Sequence, residues 1–183
     1  MQYVYGYAFV KLKDICDIKR GIRVVKNQLD DNFKYPVYQN SLTPLGNYSQ
    51  YNQKANTTFV IVAGAAGQVG YSNVDFWSAD DCFTFECSDL IDNKYLYYHL
   101  LKQQNHLLSK VRKASIPRLS RTVLENLLIA VPPIEEQNRI VNILDRFDSL
   151  CNDLKTGLPA EISARQHQYE YYRDLLLQFP VKK

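Results

Sequence analysis

Long apolar runs are missing from this 183-residue chain. The longest, Phe59 to Ala66, falls well short of the roughly 20 residues that cross a bilayer, so no membrane span is expected. Met1 to Val10 has no basic stretch ahead of its weak apolar run, which argues against a secretory leader and for a cytoplasmic location. Cysteine is scarce. Cys16, Cys82, Cys87 and Cys151 form no Cys-x-x-Cys pair, and His99, His106 and His167 are scattered, so no metal site is expected and the thiols read as small reduced core side chains. Several catalytic signatures are absent as well: no Gly-x-Ser-x-Gly elbow, no His-Glu-x-x-His, and no Asn/Asp-Pro-Pro-Tyr/Phe tetrapeptide. Hydrophobic residues at 46% and charged residues at 22% are ordinary for a folded chain and exclude a disordered or collagen-like one.

What is present divides in two at Val131-Pro132-Pro133. Up to Pro133 fifteen Lys and Arg stand against eleven Asp and Glu, a net of +4; beyond it seven stand against eight, a net of −1. A basic body of residues 1–133 and a nearly neutral arm of 134–183 follow. The body reads as mixed α/β, giving an α+β chain with a helical arm. Its strands are predicted at Tyr35 to Tyr38, Thr58 to Val62, Cys82 to Glu86 and Leu127 to Val131, and a helix over Asn93 to Val111.

In the arm, Pro133 suits a first helical turn, with Glu135 and Glu136 near the positive end of the helix dipole. Ile140, Leu144, Phe147, Cys151 and Leu154 then recur at spacings of 4, 3, 4 and 3, the rhythm of a coiled-coil seam. Gly157-Leu158-Pro159 interrupts it, and a second helix with Ile162, Tyr169, Tyr172, Leu176 and Phe179 on one face follows. Hairpin and kinked arm both fit this interruption. Such a stripe must be buried, and its narrowness favours a partner helix over the chain's own body, with Ile140, Leu144, Phe147, Leu154, Tyr169, Tyr172 and Leu176 as the interface.

Two stretches point to a polyanion. Lys110, Arg112, Lys113, Arg118 and Arg121 put five cations into twelve residues with no acid, and Pro117 forces them onto a helix end and a loop. Upstream, Gln39 to Asn56 holds seven amides interleaved with tyrosines Tyr48 and Tyr51, with Tyr38 just ahead of them. Amides present a donor and an acceptor together, which suits adenine's major-groove edge. Gln39, Asn40, Asn52, Gln53 and Gln68 are therefore the expected base readers, and the cations the expected phosphate contacts. Gly64, Gly67 and Gly70 lack a following Gly-Lys-Ser/Thr and read as a tight strand-to-strand connection rather than a nucleotide site. One rival reading is enzymatic: Asp80 or Asp81 with Asp92 and Lys94 could hold Mg²⁺ in a nuclease.

Several segments resemble the DNA-specificity subunit of type I restriction–modification systems, over nearly the whole chain as one half-length unit. They are Val10-Lys11-Leu12-Lys13-Asp14-Ile15 with Lys19-Arg20-Gly21, then Gly64 to Gly70 with Asp75-Phe76-Trp77. Ile116-Pro117-Arg118-Leu119-Ser120 followed by Ile129 to Gln137 is the most specific. Gly157 to Ile162 with Arg165 to Tyr169 completes the set. The resemblance implies a non-catalytic target recognition domain that reads half of a split site in double-stranded DNA. It further implies a conserved helical spacer that docks methyltransferase and restriction subunits and pairs with a second copy or a second specificity half. S-adenosylmethionine, ATP and Mg²⁺ would then belong to those partners and none to this chain. A helix over 134–156 would span about 34 Å, near one turn of B-DNA, so spacer length would set half-site spacing.

Overall fold

The computed structural model describes residues 7–148. Its framework is a four-stranded antiparallel sheet in the order β2 (Cys16–Arg20), β8 (Cys82–Cys87), β5 (Thr57–Ile61), β6 (Val69–Ser72). Alternation along the inner strands buries side chains on both faces. Val60 and Phe83 join the main core with Ile18 and Val69, while Phe59, Ile61 and Cys82 point to the opposite face and pack with Phe76. Both faces of the sheet are covered, so both sets of side chains are largely apolar, with Thr58, Ser72 and Thr84 buried among them.

On the first face lie α1 (Asn93–Lys102) and α2 (Gln104–Ser109), with Leu96, Leu100 and Leu107 fully buried. The sequence predicts one helix over 93–111; the structure breaks it at Gln103. The Gln103 side chain donates to the Leu128 carbonyl at 3.0 Å, and its backbone leaves helical geometry, turning α2 so that Leu107 reaches the core. The two-stranded pair β1 (Ala8–Lys11) with β9 (Leu128–Val131) closes this side, and α3 (Arg121–Glu125) precedes β9.

On the second face sits a small three-stranded sheet, β4 (Asn47–Tyr48), β3 (Tyr35–Tyr38) and β7 (Trp77–Ser78), with β3 and β7 parallel. Val37, Val24 and Ala79 form its own small core. Of the strands expected from sequence, β3 has the expected bounds, β5 is displaced by one residue at both ends, and β8 and β9 differ by one residue at one end.

Residues 134–148 are helical. The first turns belong to the body: Gln137 is fully buried, and Ile140 and Val141 pack against the main core. The chain divides into two compact units at Val141/Asn142. Within the second unit, Leu144 is half-buried and Phe147 is exposed. Leu154, Tyr169, Tyr172 and Leu176, with the rest of the spacer and its hairpin or kink, lie outside the described residues. Among the described residues no helix is long and apolar enough to cross a membrane.

Candidate nucleic-acid interface

Antiparallel pairing fixes which loops meet. Arg20 lies opposite Phe83, and Ile61 opposite Cys82, so the end of β2, the start of β8 and the end of β5 share one end of the four-stranded sheet. Beyond those strands the backbone continues to bond. The Gly21 N–H donates to the Cys82 carbonyl at 3.1 Å, and the Val62 N–H to the Asp81 carbonyl at 2.8 Å. The segment after β3 crosses over the same end: Cys82 Sγ donates to the Gln39 carbonyl at 3.0 Å, and the Ala65 N–H to the Asn40 carbonyl at 2.9 Å.

The basic stretch is tied to this end as an added ribbon. Arg118 forms an antiparallel bridge with Ala63, flanked by Leu119 N–H to the Val62 carbonyl at 2.9 Å and Gly64 N–H to the Pro117 carbonyl at 3.3 Å. Arg112 and Arg118 also bond to each other through both backbone groups, at 2.8 and 3.2 Å, closing the loop 112–118. The loop is therefore pinned at its base while its cations stay outside. Lys110, Arg112, Lys113 and Arg118 are exposed, and among the described residues none of these four has an ion pair or a side-chain hydrogen bond. Arg121 differs: its Nε lies 2.8 Å from Glu125 Oε1 on the next turn of α3, so its charge is already partly answered.

The glycine-rich turn joins β5 to β6, as a tight strand-to-strand connection should. Gly64 has φ +79, and a Cβ there would stand 2.8 Å from the Asn40 Cβ and 2.9 Å from its carbonyl oxygen. Only glycine lets the turn pass so close beneath Asn40. Asn40 is thereby held at the surface, exposed, between the turn and the start of β8.

The amides separate by environment. Gln39, Asn40 and Gln68 gather at this end, and among the described residues their side chains have no hydrogen-bond partner. Asn52 is occupied: its Nδ2 donates to the Ser78 carbonyl at 2.9 Å, and its Oδ1 accepts from the Ser78 N–H at 2.7 Å. Gln53 pairs through its backbone with Phe76, beside Asn52 rather than beside the basic loop. The tyrosines separate likewise. Tyr38 stacks in the core against Phe59 and Phe76, where burial pushes its hydroxyl up from the usual range, so it is no surface stacking platform. Tyr48 packs edge-on against Trp77, and Tyr51 stays exposed with the Lys54 ammonium 4.4 Å above its ring.

The carboxylates of the enzymatic reading serve other ends. Asp92 caps α1, its Oδ1 accepting from the Tyr95 N–H at 2.8 Å. Lys94 lies over the Tyr71 ring at 5.4 Å. Asp92 and Lys94 are beside the start of α1, whereas Asp81 is at the opposite end of β8, and the described residues assemble no cluster of metal-ligating side chains. The nuclease reading is not supported.

Residues that sequence reasoning passed over stand at both ends of the sheet. Arg20 and Arg23 flank Gly21 at the end just described; the signals were the Lys19-Arg20-Gly21 segment of the resemblance, which gave Arg20 no role, and the density of cations from Lys19 to Lys26. At the other end Gln137 is buried and binds three backbone groups, a role visible only once α1 and the arm helix are brought together.

Comparison with known proteins fits this geometry. A family model described as the type I restriction modification DNA specificity domain matches residues 5–164. The chain belongs to that family. It is 33% identical to the MpnII type I restriction enzyme specificity subunit of Mycoplasma pneumoniae, an alignment covering 94% of this chain and 54% of the relative. It is also 33% identical to a second M. pneumoniae chain, S.MpnORF201P, named as a candidate type I specificity subunit, over 98% of this chain and 78% of the other. The crystal structure of the type I restriction–modification S subunit from M. genitalium superposes with a TM-score of 0.74 at 24% identity, covering 88% of this chain and 44% of that one. This chain thus spans about half of the MpnII subunit and less than half of the solved one.

Proposed function

We propose that this type I specificity family member is a non-catalytic recognition unit that reads one half of a split site in double-stranded DNA. The observation that carries the reading is the 112–118 loop, stitched by backbone bonds to the glycine turn beside Asn40 and carrying Arg112, Lys113 and Arg118 unpaired at the surface. Cations without protein counter-charges on a rigid base suit phosphates, and unpaired amides beside them suit base edges. The proposed phosphate contacts are Lys110, Arg112, Lys113 and Arg118, with Arg121 weaker, and the proposed readers are Asn40, Gln39 and Gln68.

The rest of the assignment follows from the family and the arm's sequence. The body of residues 1–133 reads DNA and the arm of 134–183 acts as a helical spacer. That spacer docks methyltransferase and restriction subunits and pairs with a second copy or another specificity half. S-adenosylmethionine, ATP and Mg²⁺ act on those partners. Binding of the chain to a randomised duplex pool, measured across salt concentrations, tests the core of this reading. Affinity that falls linearly with log salt, together with enrichment of one short motif, supports it; absence of duplex binding at low salt overturns it.

A further inference from the structure

Resting on that reading, we infer that Arg20 and Arg23 form a second phosphate grip, set across the sheet end from the 112–118 loop. Strands β2 and β5 flank β8, so the Arg20–Arg23 segment that continues β2 and the ribbon bridged to Ala63 beyond β5 are attached to strands separated by β8. The Arg20–Arg23 segment is as firmly seated as the basic loop. The Ile22 N–H donates to the Ser78 carbonyl at 2.9 Å, and the Trp77 indole N–H to the Ile22 carbonyl at 2.8 Å. Gly21 runs so close to the chain beneath that a Cβ would stand 2.2 Å from the Ala79 carbonyl oxygen, and Val24 is buried in the small second core.

On this seat the charged groups face outward. Arg23 is exposed, with no ion pair or side-chain hydrogen bond among the described residues. Arg20 spends only its Nε, on the Asp80 carbonyl at 2.8 Å, which leaves the rest of its guanidinium for a ligand. The acids at this end lie between the two grips: Asp80 and Asp81 are half-buried just ahead of β8, and no cation pairs with either carboxylate among the described residues. A phosphate chain running over the centre would meet those carboxylates. Cations on the flanks and acceptors in the middle instead match a duplex whose backbones pass at the sides and whose base edges present amino groups to the centre.

The test is the salt dependence of binding of the full chain to a randomised-sequence 30-base-pair duplex, about three turns of B-DNA. Arg23→Ala, and Arg20→Ala once a thermal melt shows it folded, are each expected to lower the slope of log affinity against log salt by about 0.9, one phosphate contact. Arg23→Lys should keep the slope. The double variant Arg23→Ala, Arg118→Ala should lose about 1.8, because the two grips take separate phosphates. Lys13→Ala, at the other end of the sheet, should match the wild type. A wild-type slope in Arg23→Ala, or a double variant no worse than Arg118→Ala alone, overturns the second grip while DNA binding itself stands. A wild type with no salt-dependent binding overturns both.

Discussion

The side-chain carbonyl of Gln137 accepts from the Asp92 backbone N–H at 2.8 Å, while its Nε2 donates to the carbonyls of Leu90 and Pro132 at 2.8 and 2.9 Å. One fully buried amide thereby ties the first turn of the arm helix to the cap of α1 and the end of β9. Gln137→Ala would leave one donor and two acceptors without their partner, at a cost of about 2–4 kcal/mol. Gln137→Glu should also destabilise, because a carboxylate cannot donate to Leu90 and Pro132. Denaturant unfolding measures both; a loss in Gln137→Ala below about 1 kcal/mol would show that water replaces the amide.

Arg118 and Arg121 stand three residues apart with different neighbours. Arg118 has no acid beside it, whereas Arg121 pairs with Glu125. Arg118→Ala is expected to weaken binding to all duplexes alike and to reduce the salt slope by about one unit. Arg121→Ala should have a smaller effect, and Glu125→Ala should strengthen non-specific binding by freeing the guanidinium. A shift in preferred bases in Arg118→Ala, with the slope unchanged, would make that residue a reader instead.

The parts of the fold legible in the sequence were those where one chemical pattern dominates. Phe59 to Ile61 are apolar on both faces, and Cys82 to Phe85 depart from that only at the buried Thr84, as a doubly covered strand requires. The basic loop was legible because five cations lacked an acid. Short strands were not: Trp77–Ser78 and Asn47–Tyr48 have two residues each, too few for any period, and exist because Val37 and Tyr35 pair with them. The site was half legible for a similar reason. Asn40 and Asn52 are the same residue type in the same stretch, and what separates them is long-range, the glycine turn under one and the Ser78 backbone beside the other. Helix over 93–111 failed at Gln103 because its partner, the Leu128 carbonyl, lies 25 residues away.

That difference gives a paired prediction. Asn52→Ala removes two hydrogen bonds to the Ser78 backbone in a half-buried setting and should cost about 1–3 kcal/mol of stability without changing the recognised sequence. Asn40→Ala removes an exposed amide that bonds to nothing in the described fold. It should leave the melting temperature within about a degree or two, the effect of roughly 0.5 kcal/mol, and change the base preferred at one position. Selection from a randomised duplex pool, run on both variants, decides between the roles; a motif change in Asn52→Ala alone would reverse them.

His99 makes stability depend on pH. Its Nε2 accepts from the Ala130 N–H at 3.1 Å, and burial, followed by the nearby Lys102 charge, holds its pKa below the ordinary 6.5. The unfolded chain therefore binds a proton first as pH falls, so this contribution to stability is complete above 6.5 and is lost below it. Unfolding free energy should decline as pH falls below about 6.5, before most carboxylates titrate. His99→Gln should flatten the decline over that window. An unchanged slope in the variant would move the effect to another group.

Cys16 and Cys87 face each other across β2 and β8 with their sulfurs 2.9 Å apart. The Ser88 N–H donates to the Ile15 carbonyl at 2.9 Å, which makes the two cysteines a non-hydrogen-bonded cross-strand pair, the kind with the closer side chains. Such a pair has Cα atoms about 4.5 Å apart, at the short edge of the range a disulfide spans. Contact with Cys87, and then burial, push the Cys16 thiol up, so reaction begins at the half-buried Cys87. With oxidised glutathione, Cys87 should form a mixed disulfide and release one reduced glutathione. Cys16 then displaces the second; in each step one sulfur–sulfur bond breaks as another forms, and the thiol proton leaves on the released glutathione. The product is an intramolecular bridge, read by mass spectrometry as the loss of two hydrogens with no glutathione retained, and it should stabilise the body by about 2–4 kcal/mol. Cys82, buried beside the Gln39 carbonyl and with its thiol pushed up by burial, should stay reduced. Glutathione that persists on Cys87 would show that the strands hold the sulfurs apart in solution.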